Sequence, residues 1–209
     1  MVRIICLILL LFLIDMRDKY GSEIKRIETH YINVKKGLDI NFPKPFIESL
    51  DKEYPLNSDK ILNVNYIDQT FGDTIKDSII INQIHKIMSL LTNTAKLVIL
   101  EKKIEVHFLG NICFLEGVTT KLLLIKQKEK SDYRHKIVLG LNIVDMRLTS
   151  IIKLSETIGY LGFGDLVYTQ YCKNYFKIIH GLPSDITGKI DPKSVKVHKV
   201  KMRKNGMLF

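Results

Sequence analysis

"KIVLGLNIVDMRLTSIIKLSE", residues 136–156, decides the fold. Ile137, Leu139, Leu141 and Ile143 recur at every second position, the period of a strand that turns one face to a core. "DMR" at 145–147 then turns the chain into "LTSIIKL", where Leu148, Ile152 and Leu154 share a face. Two strands joined so tightly run antiparallel, because a parallel crossover needs about a dozen residues or more.

The same grammar extends in both directions. Upstream, "KIEVHF" alternates Ile104, Val106 and Phe108 against Lys103, Glu105 and a solvated His107, and "GN" at 110–111 predicts a hairpin turn into "ICFL". "KLLLIK" is a short apolar strand, closed by the polar "QKEKSDYR". Downstream, "LVYTQYC" and "YFKIIHG" are strands joined at Lys173–Asn174, and the basic "VKVHKVKM" of 195–202 adds a last strand to the sheet. Before residue 95 the period changes. In "DSIIINQIHKIMSLLTN" the residues Ile80, Ile84, Ile87, Met88 and Leu91 fall at helical spacing, Asp77 or Ser78 can cap the first turn, and Asn93 can end the helix. "FPKPFIESL" predicts a short helix opened by Pro45, with Phe46, Ile47 and Leu50 on one side. "ILNVNYID" predicts a strand with Leu62, Val64 and Tyr66 on one face, and "EIKRIETHYINV" another.

These elements predict a mainly β protein, α+β in its N-terminal part. An antiparallel meander of about eight strands over residues 95–181 forms a sandwich or a partly open barrel, with one or two helices before it. The chain divides into a leader (1–21), an N-terminal α/β portion packing on the sheet (22–94) and the meander with its basic C-terminal strand (95–209). Composition agrees: 46% of the 209 residues are hydrophobic, mostly Ile, Leu and Val, with Ala95 the single alanine and no tryptophan. The formal charge of +10 is concentrated at the end, since residues 189–209 hold seven Lys or Arg against Asp191 alone.

"MVRIICLILLLFLIDMRDKYGS" places Arg3 before eleven apolar residues, Ile4 to Ile14. As a helix those residues rise only about 16 Å, half a bilayer core, so the leader fits a secretory signal peptide better than a membrane span. Cleavage after Gly21 would put Lys19 three residues before the cut, where a small residue is required, so an uncleaved membrane-associated leader and a buried first strand remain alternatives. Export to an oxidising compartment would leave Cys113 and Cys172 as an even pair, a candidate disulfide closing a loop of about 60 residues. The alternative is two free thiols.

The leader, "GLNIVDMRLTSIIKLSE", "GFGDLVYT" and the closing "KMRKNGMLF" together resemble small, exported, β-rich bacterial proteins of uncharacterised function. The resemblance covers the leader and the last third of the chain. It implies export and no particular activity.

Catalytic signatures are absent from the sequence. The histidines at 30, 85, 107, 135, 180 and 198 form no metal-binding spacing, and there is no Cys-x-x-Cys, EF-hand loop or G-x-S-x-G elbow. Local carboxylate pairs such as Asp73 with Asp77 read as solubilising charge. Gly159, Gly162 and Gly164 run G-x-x-G-x-G into a strand, whereas a phosphate-cradling loop feeds a helix. They therefore read as a turn that exposes an aromatic tip, a candidate binding face of Tyr160, Phe163, Asp165 and Tyr168. The tail offers candidate anion contacts at Lys196, Lys199, Lys201 and Arg203, whose plainer reading is lysine protection of an edge strand.

The expectation is an exported, non-catalytic binding or structural β protein that needs no cofactor. Its partner would be a protein, a glycan or an anionic membrane surface, and the lack of aromatics among the tail lysines disfavours nucleic acid. One alternative is an enzyme with a dispersed site using residues such as His85, Asp165 or His180. The other is a cationic binder of anionic glycans or lipid through the C-terminal strand.

Overall fold

The computed structural model describes residues 30–35, 38, 40–48, 52–56, 59–67, 72–91, 104–127, 133–160, 163–172, 175–182 and 190–209. The leader and the start of "EIKRIETHYINV" lie outside them. Ten strands and two α-helices are described: β1 (Tyr31–Asn33), α1 (Lys44–Glu48), β2 (Ile61–Leu62), β3 (Asp73–Ile75), α2 (Ser78–Leu91), β4 (Ile104–Leu115), β5 (Val118–Gln127), β6 (Tyr133–Val144), β7 (Arg147–Tyr160), β8 (Phe163–Cys172), β9 (Tyr175–Gly181) and β10 (Lys196–Lys201). Strands β3 to β10 follow one another across a single antiparallel sheet, with β1 added on β7 and β2 on β8. The mainly β, antiparallel, unclosed architecture is the one expected.

Both faces of this sheet are covered. On one, α2 packs Ile80, Ile84, Ile87 and Met88, with Phe42 and Phe46, against Val106, Phe108, Leu123, Ile125, Ile137, Leu139 and Leu141. The helix begins as its sequence requires, with the Asp77 carboxylate accepting from the Ile79 N–H at 2.8 Å. The other face is concave. It gathers Leu122, Leu124, Val138 and Leu154 with Val167, Phe176, Ile178 and Val200, so the β4–β6 half and the β8–β10 half meet across one core. The Phe114 ring closes that meeting, stacked on Phe176 at 4.2 Å and edge-on to Tyr171 at 5.3 Å.

Bulges make the curl possible. The registers of β4–β5 and β6–β7 each shift twice, leaving Leu109, Phe114, Thr149 and Leu154 as extra residues. The shift at Thr149 separates Leu148, which packs on the helix side, from Ile152 and Leu154 on the concave side, so the three do not share a face as expected.

Further expectations are corrected. Gly110–Asn111 is not a hairpin turn: β4 runs through it, and the turn lies at Glu116–Gly117. Gly110, at φ 142°, leaves room for the Lys52–Tyr54 segment, whose backbone pairs with Asn111 through Asn111 N–H to Lys52 O (2.6 Å) and Tyr54 N–H to Asn111 O (2.8 Å). A Cβ there would meet the Lys52 carbonyl at 2.8 Å. With "KIEVHF" and "ICFL" merged into one strand, six strands are described between Ile104 and Gly181, and residues 95–103 lie outside the described residues. The strand expected over "ILNVNYID" ends at Leu62, because Asn63 caps a 3-10 turn over Val64–Tyr66, its side chain accepting from Asn65 N–H at 3.0 Å. His107 is buried, not solvated, because Thr74 of β3 pairs beside it and its hydroxyl lies 3.3 Å from Nδ1.

The β6–β7 turn is a two-residue hairpin with Asp145 at φ 47° and Met146 at φ 59°. Positive φ at both positions is type I′ geometry, which favours glycine second. Met146 is half exposed and contributes little packing, so the substitution Met146→Gly should relieve left-handed strain and stabilise the fold by about 0.5–1 kcal/mol after the larger entropy of the unfolded glycine chain is counted. The urea midpoint should rise with an unchanged m-value; a lower midpoint would show that the methionine side chain matters more than its backbone.

Candidate functional site

The end of the chain is built into the sheet. After β10 the backbone reverses through Arg203–Gly206, pairing Lys201 N–H with Phe209 O at 2.9 Å, Phe209 N–H with Lys201 O at 3.0 Å and Arg203 N–H with Met207 O at 2.9 Å. Gly206 takes φ 76°, and a Cβ on it would collide with Thr149 Oγ1. Two polar contacts fix the hairpin in place. The Asn33 side chain donates to Leu208 O and accepts from Leu208 N–H, both at 2.8 Å. Ser150 Oγ donates to Gly206 O at 2.5 Å and accepts from the Asn142 side-chain amide, whose Oδ1 in turn accepts from Thr120 Oγ1.

This hairpin forms one wall of a cleft of about 720 Å³ between the tip of β4 and the start of β9. Phe114, Leu115, Tyr175 and Phe209 supply its apolar surface, and Lys201, Arg203 and Lys204 its charge. Cations and rings are paired. The Lys199 ammonium lies 5.6 Å from the centre of the Tyr175 ring, and the Arg203 guanidinium 5.0 Å from that of Phe209. Volume, apolar lining and a few convergent cations are what a site for an anion with an apolar body requires.

The register extends the charged surface. Val197, Lys199 and Lys201 of β10 alternate to the same side as Ile179, Lys177 and Tyr175 of β9 and Tyr168, Gln170 and Cys172 of β8. No carboxylate occurs on that side of the three strands at these positions. Of the expected anion contacts, Lys201 and Arg203 line the cleft and Lys199 stands beside it. Lys196 pairs with His180 on the opposite side.

The expected aromatic tip is a hairpin, with Gly159 opposite Gly164 and Tyr160 opposite Phe163. The side chains of Tyr160, Phe163 and Asp165, and Gly162 itself, lie outside the described residues. Tyr168 is half-buried on the β8–β10 face. Cys113 and Cys172 are free. The Cys113 thiol donates to Leu115 O at 3.6 Å and Cys172 sits opposite Tyr175, while the contact between their strands is made by the Phe114 and Tyr171 rings.

A second cluster was invisible in the spacing of its residues. Glu156 is buried between His135, whose Nε2 lies 2.8 Å from Oε1, and Lys153, whose ammonium donates to Oε2. Burial alone would raise the Glu156 pKa, but the Lys153 charge and then the His135 hydrogen bond hold it down to about 2. Beside them His30, whose carbonyl accepts from Lys153 N–H at 2.7 Å, packs its ring on His198 at 5.0 Å. Burial first, then the charges of Lys153, His198 and His180, push the His30 pKa down to about 3, against a weaker opposing pull from Glu156. His180 thus joins this group, while burial lowers the pKa of His85 on α2. Among the described residues no set of three or more His, Cys, Asp or Glu is placed to hold a metal.

Both shifts make the fold acid-labile. His30 stays neutral when folded while the unfolded chain takes up its proton, so stability is unaffected above about pH 6.5 and falls, by up to about 5 kcal/mol, as pH drops from there toward about 3. Glu156 adds a second loss below its unfolded pKa of about 4.5, extending down to about 2. Urea unfolding as a function of pH should therefore show stability falling through this window, with the upper part flattened in His30→Asn; a profile identical to wild type would remove His30 as the cause. Glu156→Ala, which strands a buried ammonium, should destabilise by about 3–5 kcal/mol. No protein family, curated protein or solved structure matches the chain, so what the site does has to be argued from its own geometry.

Proposed function

We propose that the chain is an exported, non-catalytic binding protein that holds a polyanionic ligand against the outer side of its C-terminal strand. The observation that carries this reading is the convergence of Lys201, Arg203 and Lys204 with Tyr175 and Phe209 around one cleft, continued by Lys177 and Lys199 on a side without carboxylates on β8–β10. Edge protection alone would explain lysines on β10, but it requires no cleft, no ring beneath Lys199 and no guanidinium held over Phe209.

Catalysis has less support. The buried carboxylate that could have served as an acid or base is saturated by His135 and Lys153, and its depressed pKa suits a permanent charge better than a proton donor. Export draws on the apolar leader and on the resemblance of the leader and last third to exported β-rich proteins. The free cysteines lend it no weight.

Titration with heparin, a soluble polyanion, should show binding that weakens steeply between about 50 and 200 mM salt. Lys201→Gln with Arg203→Gln should weaken it by about tenfold or more. Salt-insensitive binding, or an unchanged double variant, would reject the cleft. Mass spectrometry of the mature N-terminus tests export: the protein recovered outside the cytoplasm should lack the leader, and an intact leader in the cytoplasm would overturn that part.

A further inference from the structure

Resting on that reading, we infer that the polyanion is an anionic lipid bilayer, met by the β9–β10 edge as a peripheral membrane-docking surface. The cleft accounts for the basic groups but not for what flanks them. Three large aliphatic side chains outside the cleft stand out of the protein around the same edge, Leu182 54% exposed, Val195 41% and Val197 46%, and Phe209 of the cleft itself is 51% exposed. They are contiguous with the cations. Ser194 Oγ accepts from Leu182 N–H at 2.8 Å, fixing Leu182 beside Val195, and Val197 precedes Lys199 and Lys201 on the same side of β10. Phe209 terminates the row at the cleft.

A soluble polyanion presents charge and would leave these aliphatic groups in water. A bilayer presents both partners in the required order, with anionic headgroups at the level of the lysine ammoniums and acyl chains just beneath. Lysine stems can lie along apolar surface while their heads stay with the phosphates. The contact is interfacial, made with strand side chains, and among the described residues no helix is long and apolar enough to cross a membrane. The paired backbone of β9 and β10 would hold the side chains ready without a folding step, and the hairpin anchored by Asn33 and Ser150 fixes Phe209 at the far end.

The test is co-sedimentation of the full protein with phosphatidylcholine vesicles, with and without about 30 mol% phosphatidylglycerol. Partition should occur with the anionic vesicles and be absent with phosphatidylcholine alone. Lys199→Gln with Lys201→Gln should lower it by about thirtyfold. The discriminating variant is Leu182→Ser with Val195→Thr and Val197→Thr, exposed changes of which the two threonines keep the branched β-carbon that suits a strand. It should lower vesicle partition by about tenfold and leave heparin binding unchanged. Vesicle partition that ignores this triple variant would overturn the bilayer assignment, as would heparin binding without any vesicle binding, and either result leaves the polyanion reading standing. Failure to bind heparin and vesicles alike would remove both.

Discussion

Strand β7 has to serve more neighbours than a strand has edges. It pairs with β6 along nearly its whole length, but its other edge is divided between β1 at Ser150–Ile152 and β8 at Glu156–Tyr160. The change of partner falls where Leu154 is left unpaired against β6, and a bulge at that place bends the strand and increases its twist. From this bend the rest of the structure follows. The β8–β10 half swings over the β4–β6 half, and the concave core of Leu122, Val138, Leu154, Phe176 and Ile178 is what they bury between them.

The bend also dictates where charge can be tolerated. Lys153 and Glu156 stand on either side of it, and with the bulge between them their head groups meet below the surface and saturate one another with His135. Replacing one member leaves an uncompensated buried ion, so the cluster works as a condition on register: a slipped β6–β7 pairing would bury the same charges without partners. The Thr120–Asn142–Ser150–Gly206 chain does the same for the second bulge, and its last link captures the C-terminal hairpin. The cleft is therefore held by buried polar contacts that begin in the central strands.

Much of this was legible residue by residue and little of it pairwise. Period-2 alternation found β6, β7 and β10, and the 3.6 period found α2 with its Asp77 cap, because each signal is local. Bulges are not local: Gly110 reads as hairpin chemistry until the Lys52–Tyr54 segment is seen to need its missing side chain. His107 reads as solvated until β3 covers it. The site divides in the same way. Lys201 and Arg203 were visible as charge, but the rings that turn charge into a cleft come from β4 and β9, about 90 and 30 positions earlier in the chain. The alternation of Ile152, Lys153, Leu154 and Ser155 gave no sign of the bulge at Leu154 that brings them together.

The lysines of β10 illustrate how one residue type can satisfy two demands. An exposed edge needs charge to discourage pairing with another chain, and a lysine on either side of the strand meets that need. Lys196 meets it on the side of His180 and His198, away from the cleft. Lys199 and Lys201 are placed differently. They share their side with Tyr175 and Lys177, and the hairpin beyond them returns along the outer edge of β10 to pair Phe209 with Lys201. Edge protection by backbone pairing is already complete at Lys201, so its charge is superfluous there as a deterrent. A cation retained where the edge is covered, with an aromatic ring on one side and Arg203 on the other, is what edge protection leaves over and what the proposed anion contact would use.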